Sequence, residues 1–258
     1  KQGKDPNEKK MTKPEITPIV SNRDVASPFL TSIQENAVKP IEPVFLDFKK
    51  DMSQLTAKSD IPVLYKQNTT NDLFQLIYVF DMGNNNDKAL GTAFDYLEYL
   101  GTSDMTPEEL KSEFYRLACT FYVSPGNERT YVVLSGLNEN MPAAMQLFEK
   151  LLADAQANKE AYNNLVGDIL KARADAKLNQ GQNFSRLMNY AMYGPKSPAT
   201  NLLTEAELAS MNPQELVDRI HNQNNYKHRI LYYGPSSSKD LLATIDQYHQ
   251  VPATLKDI

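Results

Sequence analysis

The sequence predicts an α+β domain: a largely antiparallel sheet with helices packed on one face. Two observations carry this expectation. Short runs rich in β-branched and aromatic residues come in pairs separated by turn residues, the pattern of hairpins; Leu73-Phe74-Gln75-Leu76-Ile77-Tyr78-Val79-Phe80 is the strongest. Between and after them lie longer segments whose apolar residues recur at the helical period and which open on capping signals. The elements run β-β-β-α-α-β-β-α-α-α-α-β-α, and hairpins mixed with helical blocks favour α+β over a parallel, alternating architecture.

Residues 1–43 read as a linker or extended arm, and 44–258 as one domain. Residues 1–15 hold almost nothing apolar and are expected to be mobile. Residues 16–42 scatter Ile19, Val25, Phe29, Leu30 and Ile33 among prolines, which suits an extended tether. Strands are expected at 44–48, 61–65 and 73–82, with Asn68–Asp72 turning between the last two. Cys119 falls where a helix runs into a strand at 120–123, which forms a hairpin with 130–135 around Ser124-Pro125-Gly126. Helices are expected over about 140–157, 159–180 and 182–193, the last stopped by Tyr193-Gly194-Pro195. Thr204-Glu205-Ala206-Glu207 and Asn212-Pro213-Gln214-Glu215 read as capping boxes. A strand at 229–233 and a helix at 241–248 close the chain.

The most informative stretch is 87–121. Its first half is an amphipathic helix with Leu90, Ala93, Phe94, Leu97 and Gly101 on one side. Asp95, Glu98 and Tyr99 lie off that stripe at three- and four-residue spacings, so all three are expected to point to one place. After Gly101-Thr102-Ser103-Asp104 a second helix opens on Thr106-Pro107-Glu108-Glu109, a capping box with proline at the first helical position.

This arrangement resembles the pitrilysin/insulinase family of zinc metallopeptidases, which includes the mitochondrial processing peptidases. The family's first helix carries His-x-x-Glu-His, followed by an apolar residue and Gly-Thr. Here the line reads Asp95-Tyr96-Leu97-Glu98-Tyr99-Leu100-Gly101-Thr102. Glu98 matches the general base, and both histidines are replaced. A third family ligand, a glutamate, comes from a later helix; the matching window, 163–177, holds Asp168, Lys171, Arg173, Asp175 and Lys177 but no glutamate. Tyr193-Gly194-Pro195-Lys196-Ser197-Pro198 resembles the family's Tyr-Gly turn, and Leu231-Tyr232-Tyr233-Gly234-Pro235 its closing strand. The likeness spans about residues 44–250 and implies a downstream, non-catalytic domain of a zinc endopeptidase, forming a wall of the peptide chamber. The implied partners are an upstream catalytic domain of the same polypeptide, which would hold the zinc, and a peptide or small-protein substrate. No cofactor is implied in this chain. The family's non-catalytic half lends an arginine and a tyrosine to substrate; Arg129 and Tyr131 are the nearest candidates. Arg173 and Lys177, which continue an apolar helical stripe, would face the same chamber or simply mark where the helix outruns the core. Resemblance to bacterial members points to a periplasmic or cell-envelope setting, which the residues themselves do not fix.

Chemistry bounds the alternatives. The three histidines, His221, His228 and His249, form no i, i+4 pair, and one cysteine makes no thiolate site, so zinc has no fitting ligand set here. The histidines read as surface or core-edge residues, and Cys119 as an inert buried thiol. A net charge of −5 with scattered basic residues gives no sign of nucleic-acid binding, and no apolar run approaches the ~20 residues of a membrane span. Two further readings stay open: a stand-alone scaffold or binding subunit of the same fold, and an unrelated hydrolase using Asp95 and Glu98 as a carboxylate pair.

Overall fold

The computed structural model describes residues 13–18 and 25–258, apart from the Lys196 side chain. The chain divides into two units, Lys1–Phe45 and Leu46–Ile258. In the first, a two-turn helix α1 (Pro28–Gln34) corrects the expectation of a wholly extended segment; Ser27 caps it by accepting from the Leu30 N–H, and Pro28 supplies the helical φ at its first position. The mobile arm expected at 1–15 falls mostly outside the described residues.

The second unit is built on six strands: β1 (Ser53–Ala57), β2 (Ile61–Gln67), β3 (Leu73–Phe80), β4 (Cys119–Pro125), β5 (Thr130–Leu137) and β6 (His228–Gly234). They form one sheet in the order β1-β2-β6-β3-β5-β4. Every pairing is antiparallel except β2 with β6, which is parallel. The helices are α2 (Leu90–Leu97), α3 (Pro107–Arg116), α4 (Met141–Asp154), α5 (Lys159–Lys177), α6 (Gln180–Tyr193), α7 (Glu205–Ser210), α8 (Pro213–Asn222) and α9 (Ser238–Tyr248).

The pleat explains which face is covered. Phe74, Leu76, Tyr78 and Phe80 alternate along β3 and join the same core as Val132 and Leu134 of β5, Val63 and Tyr65 of β2, and Ile230 and Tyr232 of β6. Met141, Ala144, Met145, Phe148, Leu151 and Leu152 of α4 fill that layer from above, with Leu216, Val217 and Ile220 of α8 and Leu241 and Ile245 of α9. Val79 and Val133, on the opposite pleat, are also buried but lie outside that core.

The first strand is a correction. Residues 44–48 are not a strand: Val44, Phe45, Leu46 and Phe48 are all exposed. The first strand is Ser53–Ala57, which pairs with β2 through a tight turn where Ser59 and Asp60 both take left-handed φ, 57° and 58°. Its only apolar residues are Leu55 and Ala57, too few to announce it. The Thr106 and Thr204 capping boxes form with both reciprocal bonds. Asn212 caps α8 through the Gln214 N–H, without the return bond a capping box requires.

Candidate functional site

Helix α2 starts without a side-chain cap on Ala89, and neighbouring side chains take its free N–H groups: Asp87 accepts from Ala89 at 2.9 Å and Asn84 from Gly91 at 2.9 Å. Its inner face buries Leu90, Ala93, Phe94, Tyr96 and Leu97. Tyr96 anchors it to the start of α5, its hydroxyl donating to the Asn158 carbonyl at 2.5 Å and accepting from the Asn158 N–H at 2.7 Å. The helix is shorter than expected. It ends at Leu97, with Glu98 at the C-cap, and the chain then bends so that Leu100 is buried. Gly101 is required there, since a Cβ would stand 2.3 Å from the Met105 carbonyl oxygen, while the Thr102 N–H donates to that same oxygen.

This early end separates the three motif positions. Asp95 is on the exposed side of α2, and its carboxyl is raised above the usual range, first by desolvation and then by the neighbouring Glu98. Glu98 lines a hollow of about 440 Å³ with Lys111, Phe114, Tyr115, Cys119 and Phe121. Tyr99 follows the helix and lines a different hollow of about 330 Å³, beside Thr102 and Met105. Asp95 and Glu98 are therefore neighbours, while Glu98 and Tyr99 face different spaces. A carboxylate, a carboxylate and a half-exposed phenol on two surfaces do not fit zinc, which favours imidazole and thiolate converging tetrahedrally. Cys119 adds no ligand, because burial pushes its thiol up and away from thiolate character.

The Glu98 hollow is lined on one side by Cys119, Thr120 and Phe121 of β4, the outermost strand of the sheet beyond β5, and among the described residues one side of its backbone is unpaired. An extended chain laid along that edge would find main-chain partners and pass the Phe114–Phe121 surface, whose rings sit 4.9 Å apart.

The other candidates occupy two separate places. In the turn just before β5, Arg129 donates to Asp81 at 2.8 Å, and Arg229 of β6 donates to the other Asp81 oxygen at 2.6 Å. Those bonds, Arg229's foremost, hold the Asp81 carboxyl below its ordinary range. Tyr131 follows on β5, partly exposed. On α5, Arg173 donates to the Leu203 carbonyl at 2.7 Å, which fixes the loop before α7, and Lys177 ends the helix.

A buried polar cluster was not legible in the sequence, and it corrects the histidine expectation: His228 and His249 are core residues, at 6% and 0% exposure. Glu149 of α4 accepts from His249 Nδ1 at 2.6 Å and the Tyr78 hydroxyl at 3.1 Å through one oxygen. Through the other it accepts from Asn224 Nδ2 at 3.0 Å and the Gln250 N–H at 3.1 Å. His228 Nδ1 donates to the Tyr226 carbonyl at 2.7 Å, which leaves Nε2 to accept from His249 Nε2 at 2.8 Å. Burial, then the adjacent His249, lowers the His228 pKa to about 4. Burial and Glu149 raise that of Tyr78.

No family model and no curated protein sequence matches the chain. Solved structures do. The periplasmic protease PqqL from Escherichia coli superposes with a TM-score of 0.67 at 14% identity, over 90% of this chain and 29% of its own. A structure described as a peptidase M16 inactive domain from Pseudomonas fluorescens gives 0.66 at 15% identity, over 80% of this chain and 53% of its own. The ferredoxin protease FusC, solved as a point mutant in complex with Arabidopsis ferredoxin, gives 0.66 at 13% identity, over 86% and 27%. The chain has the α+β fold of an M16 peptidase domain, the class to which the pitrilysin resemblance belongs, and it spans about a quarter to about half of those chains.

Proposed function

We propose that this chain is a non-catalytic domain of a zinc metalloendopeptidase, forming one wall of a chamber that closes over a peptide. The observation that carries the reading is the motif helix α2. It keeps the family's glutamate at Glu98 and the Gly101-Thr102 turn, yet offers Asp95 and Tyr99 where imidazoles would hold zinc. The fold shared with an M16 inactive domain supports it. So does the β4 edge beside the Glu98 hollow, unpaired among the described residues and a surface suited to an extended peptide.

The partner in this reading is a catalytic domain of the same polypeptide, which would supply the zinc that polarises the scissile carbonyl. Helix α6 is the surface most suited to meet it. It buries none of its own residues and exposes Phe184, Leu187, Met188 and Met192. The test is metal content: after exhaustive dialysis the isolated chain should retain no stoichiometric zinc, and one tightly held zinc per chain would overturn the reading.

A further inference from the structure

Residues 250–258 follow α9 as a strap, with neither helix nor strand beyond one bridge between Tyr226 and Lys256. The strap borders three separate hollows. Lys256 and Ile258 line one of about 930 Å³ beside α8, Gln250, Val251 and Pro252 one of about 260 Å³, and Ala253, Thr254 and Leu255 one of about 430 Å³. It is held at a few points. The Lys256 N–H donates to the Asn225 carbonyl at 2.8 Å, and its carbonyl accepts from the Lys227 N–H at 2.9 Å. The Pro252 carbonyl accepts from the Ser59 hydroxyl at 2.8 Å. The Lys227–Asp257 ion pair is exposed and adds little. The firm anchor is where the strap begins: His249 is wholly buried, and the Gln250 N–H donates to Glu149 at 3.1 Å. A segment tied by so few bonds opens at lower cost than β6, which is paired on both sides by β2 and β3.

That anchor contains a titratable contact. His249 Nε2 donates to His228 Nε2 at 2.8 Å, and this is the one lone pair His228 can offer, because its Nδ1 donates to the Tyr226 carbonyl. A proton on His228 Nε2 fills the lone pair and sets its N–H against that of His249. The groups around the ring do not offset the charge. Tyr78 of β3 is a neutral phenol, and Glu149 of α4 lies behind His249, bonded to its Nδ1. Lys227 and Arg229 flank His228 in the chain. Asp60 and Asp81 line the 430 Å³ hollow that His228 also borders, and Asp81 is taken by Arg129 and Arg229. Among the described residues no carboxylate bonds the His228 ring. Burial and His249 therefore hold its pKa at about 4 in the closed form, below the ordinary 6.5 it regains once exposed.

We propose that His228 and His249 form an acid-released latch: protonation of His228 frees His249 and lifts residues 250–258 away from the three hollows they border. The inference goes beyond the chamber reading and does not depend on it. The test is amide hydrogen exchange of the chain, read by NMR as protection factors for Gln250 and Lys256 from pH 7 to 4. The open population should rise about tenfold per pH unit below about 6.5, a roughly 60-fold loss of protection by pH 4.5. At every pH these amides should exchange at least about 100-fold faster than those of Leu76 and Tyr78 in β3, as local opening requires. His228→Gln gives His249 an acceptor that does not titrate, and should hold the strap's protection within about threefold down to pH 4.5. Equal protection of strap and β3 amides, or the same loss in His228→Gln, would overturn the proposal. So would a loss absent above about pH 4.5, the course expected of a carboxylate. Should His228→Gln fail to fold, the pH course of the unsubstituted chain still decides.

Discussion

Glu149 shows how a single residue can organise a core without appearing in any sequence motif. Four donors from β3, the turn after α8, and the segment ending α9 converge on its two oxygens. Its partners stand 71 to 101 residues away, so no local spacing could reveal them. Glu149→Ala should cost about 3–5 kcal/mol in a denaturant titration, because it strands buried donors as well as removing an acceptor. His228 makes the cluster sensitive to acid. Its folded pKa is lowered from 6.5 to about 4, so the unfolded chain binds the extra proton first. The stability this contributes is complete above about pH 6.5 and is lost as pH falls through about 4; the full shift corresponds to roughly 3 kcal/mol. Melting temperatures from pH 7.5 to 4.5 should fall more steeply for the native chain than for His228→Gln, and parallel curves would contradict the assignment.

At the scale of elements, the legible parts were those with local causes. Thr106 and Thr204 announce their helices because a capping box needs only four consecutive residues. Thr106→Ala should cost about 1 kcal/mol, read from the same titration, since two N–H groups at the start of α3 lose their arrangement. The boundaries that tertiary contacts decide were not legible. The apolar run 44–48 looks more like a strand than Ser53–Ala57, yet only the latter is joined to β2 by a tight turn and lies at a sheet edge. The early end of α2 arises because the Gly101 backbone must approach the Met105 carbonyl, a contact the helical periodicity cannot report. That end separates Tyr99 from Glu98, so the residues of the motif were legible while their separation was not.

For the whole molecule, the proposal makes this chain one part of a larger enzyme, consistent with the 29% and 53% of two solved chains that it spans. The exposed apolar residues of α6 provide a handle. The double substitution Phe184→Glu and Leu187→Glu should leave the isolated chain within about 0.5 kcal/mol of its native stability, since neither side chain is buried. The same change should weaken its association with the catalytic domain, as measured by sedimentation of the two pieces; undiminished association would place the interface elsewhere. The most direct measurement is kcat/KM for an unstructured peptide, in the polypeptide carrying this chain together with its catalytic domain. Glu98→Gln here should change it by no more than about twofold, whereas the same substitution in the catalytic domain's zinc motif should abolish cleavage. Removing this chain should lower kcat/KM about 100-fold by losing orientation of the peptide. Abolition of cleavage by Glu98→Gln, or undiminished cleavage without the chain, would contradict its role as a non-catalytic wall.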